Sequence, residues 1–346
     1  MFLSPPAPSS GRPRPPQGAP SVTRRPVLLA ALTVLTLGSA APAAVATDSA
    51  APAAVVKVGT AKQLQSALAA AAPGQTIQLA DGTYTGTFKA TTPGTAAARI
   101  TLTGSAKAVL TTPTGGGYGL HLDGASYWTV QGLTVTGAQK GIMADSADYV
   151  VLDDVTVHHT TMEGVHFRNS SAHGTLRGSR IHDTGLSRDG MGEGVYVGTA
   201  NTLTDHSDYV RITGNTFGPN IGAENVDLKE GTVGGLVSGN TFDGDGLTGR
   251  NYDDSWVDVK GNGYVIENNT GRRTTDDGYQ VHSVRPGWGC GTVFRGNRSD
   301  LTGATGPDRY AIDVTDYDAA NCTVTIGAGN TVTGGRGLVN PGIPVG

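Results

Sequence analysis

Short runs of alternating apolar and polar residues recur along the chain, and after about residue 75 no helical apolar period interrupts them. Seven runs share one pattern: GIMADS, GVHFRNS, GVYVGTA, NVDLKEG, WVDVKGN, GYQVHSV and AIDVTD. A strand sends successive side chains to opposite faces, so an inward apolar pair fixes the outward positions. The inward pairs are Val165 and Phe167, Val195 and Val197, Val226 and Leu228, Val257 and Val259, Tyr279 and Val281, Ile312 and Val314. Between them lies one outward column: His166, Tyr196, Asp227, Asp258, Gln280 and Asp313. After them lies a second: Arg168, Gly198, Lys229, Lys260, His282 and Thr315. A third set precedes each pair by two residues, with Glu163, Glu193, Glu224, Ser255 (Asp254 before it) and Asp277.

Each of these strands is preceded by another repeated segment. YVRITGNTFGP, GGLVSGNTFDG, GYVIENNTGRR and GTVFRGNRSDL superpose on Asn215, Asn240, Asn269 and Asn297. Two or three short strands per repeat, without intervening helices, predict an all-β chain: a single-stranded right-handed parallel β-helix, a solenoid with stacked coils. The Asn column reads as a structural ladder with no catalytic role. An exposed solenoid end invites edge pairing unless it is covered. The amphipathic stretch from about Ala61 to Ala72, stopped by Pro73-Gly74, predicts a short N-terminal capping helix. Cys290 and Cys322 begin neighbouring copies, CGTVFRGN and CTVTIGAGN, so stacking predicts a disulfide between them.

Composition separates the N-terminus from the rest. TRRPVLLAALTVLTLGSAAPAAVA has a basic pair, an apolar run and a small-residue A-x-A ending, the pattern of an export signal. Residues 1–46 are therefore expected to be a disordered start plus a secretion signal, and 47–346 the β-helix domain. The Arg24-Arg25 pair leaves general and twin-arginine export both open. The apolar run from Pro26 to Leu37 is too short to span a bilayer, so no membrane association is expected after signal removal. A net charge of −4 argues against a generally basic nucleic-acid binder. The mature protein is expected to be extracellular and monomeric.

Only 16% of residues are charged, yet GAENVDLKEGT concentrates Glu224, Asp227, Lys229 and Glu230 in one coil. The columns explain this, because the segment is the middle of an outward wall on which charges and aromatics stack. That wall and its neighbourhood resemble the β-helical polysaccharide lyases that include chondroitinase B and alginate lyases. The resemblance rests on LQSALAAAAPGQTIQLADGTYTG and ENVDLKEGTVGGLVSGNTF. Its specific part covers about forty residues. It implies an acidic calcium ligand at Glu224, a base at Lys229, and the family's downstream element at Asn240-Thr241-Phe242. Lys260 stands where the family places an arginine, Gly222 where it has a second acid, and Asp227 and Asp258 where small or uncharged residues are usual.

Such enzymes cleave uronic-acid polymers by β-elimination: a base takes the C5 proton, the carboxylate is neutralised, and an acid protonates the leaving C4 oxygen. Lys229 and Lys260 suit proton transfer, and stacking of like charges is expected to depress one ammonium, against the opposing pull of Asp227 and Asp258. Calcium held by oxygen ligands from Glu193, Glu224 and Asp227 is expected to neutralise the carboxylate, with Arg168, Arg272 or Arg273 as substitutes. Tyr196, Tyr252, Trp256 and Trp288 are expected near the wall for stacking on sugars. His166, His282 and Asp258 are expected to contact an acidic polysaccharide, and the loops 187–193 and 244–255 to wall the groove. Three alternatives remain open on sequence grounds: a glycoside hydrolase using Asp227 and Asp258, a uronate C5-epimerase, and a carbohydrate-binding protein without catalysis.

Overall fold

The computed structural model describes residues 54–346, and the predicted disordered start and secretion signal lie outside the described residues. Strands two to six residues long wind into three parallel sheets of eleven, ten and ten strands. In each sheet, hydrogen-bonded neighbours come from successive coils, as in β-helix stacking. The result is the right-handed parallel β-helix that the repeats predict.

The sheet that carries the charged wall runs from Lys89–Ala90 to Gly337–Val339. Its register places Tyr196 beside Asp227, Asp227 beside Asp258, Asp258 beside Gln280, and Gln280 beside Asp313. His166 pairs with Tyr196 at the start of the same column. Inward partners such as Phe167, Val197, Leu228 and Val259 are buried in one continuous apolar core.

Register is locked at the turn between the other two sheets. Asn215 donates its backbone N–H to Asn240 Oδ1 at 2.9 Å, and Asn240 repeats the contact with Asn269 at 2.9 Å. Asn269 bonds Asn297 at 3.1 Å, and Asn297 bonds Asn330 at 3.0 Å. Each side-chain amide also donates to the next asparagine and to a buried carbonyl, so the ladder satisfies groups that water cannot reach.

The N-terminal end is covered by a helix at Ala61–Ala69, capped by Thr60, whose side chain accepts from the Gln63 N–H at 3.2 Å. Leu64 and Leu68 press its apolar side onto the first coils. The helix ends three residues before the expected Ala72, because Ala70 leaves helical dihedrals and Ala72 precedes a proline. At the other end the Cys290–Cys322 disulfide joins neighbouring coils, with Cα atoms 4.7 Å apart.

Trp256 corrects the sequence reading. Strand alternation does not extend through the turn before Val257–Val259, and the chain there turns the ring inward, where it is 0% exposed. It packs edge-on to Tyr279 at 5.8 Å and fills the space above Gly271, while its Nε1 donates to the Arg272 carbonyl at 3.1 Å. The residue is therefore part of the core and does not face substrate.

Two stability outcomes follow from this packing. Asn240→Ala leaves four buried partners short of a hydrogen bond and is expected to lower unfolding free energy by about 3 kcal/mol in urea titrations. The exposed neighbour change Thr241→Ala is expected to have little effect. Replacing both cysteines by serine removes a link across 32 residues and is expected to cost about 3 kcal/mol in the C-terminal coils. Hydrogen exchange should show the loss there, with protection at Val226–Leu228 unchanged.

Candidate active site

The outward columns floor a cleft of about 840 Å³, lined by Lys140, His166, Arg168, Tyr196, Lys229 and Lys260 among others. The centre of this floor is a carboxylate shared by two amines. Asp227 meets Lys229 Nζ at 2.5 Å through one oxygen and Lys260 Nζ at 3.1 Å through the other. Lys260 also contacts Asp258, whose second oxygen lies 3.0 Å from His282 Nδ1.

At Lys260 the opposing pull of the carboxylates prevails. Burial pulls the Lys260 ammonium down, but Asp227, Asp258 and Glu224 together outweigh it and hold Lys260 well above the usual lysine range. Burial likewise opposes ionisation of Asp258, yet Lys260 and His282 keep its carboxyl well below the ordinary range. His282 is raised, because its attraction to Asp258 exceeds the cost of burial.

Beside this network, Glu193, Glu224 and Asp227 bring one oxygen each to within 4.8 Å of one another. Glycines permit that approach: a Cβ on Gly164 would stand 2.8 Å from the Gly194 carbonyl, and one on Gly194 2.6 Å from that of Asn225. Burial, then Asp227, pushes Glu193 up to about 8 and Glu224 well above its normal value. Neither carboxylate accepts a hydrogen bond from another described side chain, which leaves oxygen lone pairs turned to the cleft. This oxygen-only donor set fits a hard divalent cation such as calcium.

Towards the N-terminal coils, Lys140 Nζ bonds Glu163 at 2.9 Å and Arg168 Nε bonds Asp145 at 2.6 Å. Burial acts against Glu163, but His166 and Lys140 hold it at about 2. His166 is only 4% exposed, and its Nε2 faces the Gly198 carbonyl at 2.9 Å. Tyr196 packs edge-on against His166 at 4.5 Å, and Lys229 Nζ stands 4.9 Å from the centre of the Tyr196 ring. Burial, followed by Asp227 and Glu193, raises the Tyr196 phenol and keeps it protonated. Towards the C-terminal coils the floor becomes acidic: burial raises Asp254 and Asp313 to about 6.

The structure thus brings together Glu193, Tyr196, Glu224, Asp227, Lys229, Asp258, Lys260, His166, Arg168 and His282. It removes Arg272, which lies on a different sheet and pairs with Asp243 at 3.1 Å. Arg273 pairs with the same carboxylate and with Asp245. The Trp288 carbonyl lies 3.4 Å from Cys290 Sγ at the disulfide, and the residue does not line the cleft. Lys140 was missed by sequence reasoning although the register holds its signal: Ile142 pairs with Val165, which sets Lys140 in the Glu163, Glu193, Glu224 column.

Comparison with known proteins agrees with this architecture. Residues 43–227 match the family model described as Pel9A-like, right-handed beta helix region. An alginate lyase from Paenibacillus sp. str. FPU-7 is 39% identical, with a TM-score of 0.77 over 84% of this chain and 98% of that one. Pectate lyase Pel9A shares the fold at 15% identity and a TM-score of 0.60, over 82% of this chain and 78% of that one. The GH136 lacto-N-biosidase from Eubacterium ramulus shares it at 14% identity and a TM-score of 0.57, over 83% and 65%. A search of curated protein sequences returned no match. The chain belongs to the Pel9A-like right-handed β-helix family and is a polysaccharide lyase.

Proposed function

We propose that this lyase is exported and cleaves a uronic-acid polysaccharide of the alginate type by β-elimination, with Lys229 as the base. The observation that carries the reading is the asymmetric pair of lysines around Asp227. Lys260 is held by two carboxylates, whereas Lys229 contacts only Asp227 and also faces the protonated Tyr196 ring. Lys229 acts as the free amine and takes the C5 proton, and the electron pair forms the C4–C5 double bond as the C4–O bond breaks. Tyr196 donates a proton to the departing oxygen, so no water is consumed. Lys260 stays charged and attracts the uronate carboxylate. Glu193, Glu224 and Asp227 would hold calcium, which when bound supplies positive charge to the substrate carboxylate.

Support for an alginate-type substrate comes from the 39% identical alginate lyase, whose chain is matched almost end to end. Support for export comes from the basic and apolar leader pattern and from the disulfide. Hydrolysis by Asp227 and Asp258 fits the site less well. That mechanism needs one carboxyl to carry a proton, and Asp258 is kept ionised by Lys260 and His282.

Lys229→Ala is expected to reduce kcat for unsaturated-product formation about a hundredfold or more, with folding intact because Asp227 keeps Lys260 as its partner. Retention of near-normal turnover by this variant, with loss in Asp258→Ala, would move the chemistry to the carboxylates. Exhaustive chelation is expected to abolish most activity and to lower the melting temperature, both restored by added calcium. Activity indifferent to chelation would leave Lys260 and Arg168 as the cationic groups facing the substrate.

A further inference from the structure

Asn251 and Tyr252, from the loop 244–255, line one side of the cleft. Tyr252 lines the cleft yet is 81% exposed. Its backbone has a φ of 64°, and that of Asn251 is 53°, so two consecutive non-glycine residues occupy the left-handed region. A bulky aromatic adopts that conformation where its surroundings hold it, as the stack of Tyr127, Tyr149 and Tyr209 does elsewhere in this chain.

The constraint is visible. Arg250 Nη1 donates to the Arg188 carbonyl at 2.5 Å, and Asn251 Nδ2 donates to the Gly190 carbonyl at 3.2 Å. Gly190 must be glycine for this contact, since a Cβ there would approach the Arg250 carbonyl to 2.7 Å. Below the bend, the buried Asp253 accepts from Thr248 Oγ1 at 2.7 Å and from its N–H at 3.3 Å. The two long loops therefore brace each other and hold an aromatic ring over open cleft. That ring takes no part in the aromatic pairs of the core.

Other aromatic surfaces differ in kind. Tyr127, Tyr149, His173 and Tyr209 stack on one another at 4.5–5.0 Å, so their inner faces are already covered, and none of them lines the cleft. Tyr196 has His166 packed edge-on against it and the Lys229 amine over its ring, so its faces are not free for a sugar. Tyr252 alone among the cleft-lining residues is a tyrosine more exposed than buried.

We propose that Tyr252 is a sugar-binding platform, whose ring stacks on the C–H face of a uronosyl residue flanking the one that is cleaved. A pyranose offers the matching surface: apolar C–H bonds on one side, with hydroxyl and carboxylate groups at its edge for the charged floor. This inference rests on the polyuronate reading above.

Kinetics and binding test it together. On sodium alginate, Tyr252→Ala is expected to raise KM about five- to tenfold with kcat little changed, while Tyr252→Phe and Tyr252→Trp stay near wild type. Retardation of the protein in alginate-containing gels is expected to fall for the alanine variant only. Wild-type KM and retardation in Tyr252→Ala would overturn the proposal, as would equal damage by phenylalanine and alanine. If the wild type forms no unsaturated product from alginate, the substrate reading fails separately, and gel retardation alone decides. Loss with alanine but not phenylalanine supports the platform; equal mobility in all variants, or no retardation of the wild type, overturns it.

Discussion

In-register parallel pairing between coils is the constraint on which this molecule depends. Each side chain on the cleft sheet sits above its equivalent in the next coil at about 4.8 Å, so residue types accumulate in columns. The asparagine ladder and the glycines before the strands keep that register and spacing. An active site on such a scaffold is assembled from residues about one coil apart in sequence, with the backbone supplying the alignment.

Column stacking also sets the electrostatic problem. Like charges on neighbouring coils repel: after burial, Asp227 raises both Glu193 and Glu224, with Glu163 adding to the first and Asp258 and Glu193 to the second. The adjacent columns answer with opposite charge: Asp227 bridges Lys229 and Lys260, and Asp258 joins Lys260 to His282. The floor is consequently rigid and nearly self-neutral at its centre, while the paired glutamates keep free oxygen atoms. Breaking one member of such a buried network leaves another charge uncompensated, so single substitutions here act beyond their own position.

Much of this was readable from the chain because a parallel solenoid has no register ambiguity once the inward pairs are known. Val226-Leu228 and Val257-Val259 fix Asp227 and Asp258, and Lys229 and Lys260 follow. The reading failed where alternation stops. Trp256 lies in a turn, where strand parity says nothing about direction, and its ring went to the core. Arg272 belongs to another face of the coil, a distinction that a one-dimensional repeat does not carry. The sequence places Asp227 and Asp258 against the stacking of Lys260 on Lys229 but not the balance between them, which burial and a third carboxylate, Glu224, also enter. The left-handed bend at Asn251 and Tyr252 has only the asparagine as a sequence signal, and nothing in the sequence marks the tyrosine beside it.

The central claim is that this wall performs elimination, so the bond-breaking step adds no water. Digesting alginate in heavy-oxygen water and reading product masses tests this directly, independently of which side chain is the base. The account predicts unsaturated ends one water lighter than saturated ones, with no heavy oxygen at the newly formed reducing ends beyond that gained by slow exchange in a control of preformed product. Saturated products carrying heavy oxygen at every new reducing end would contradict it and assign the cleft to hydrolysis.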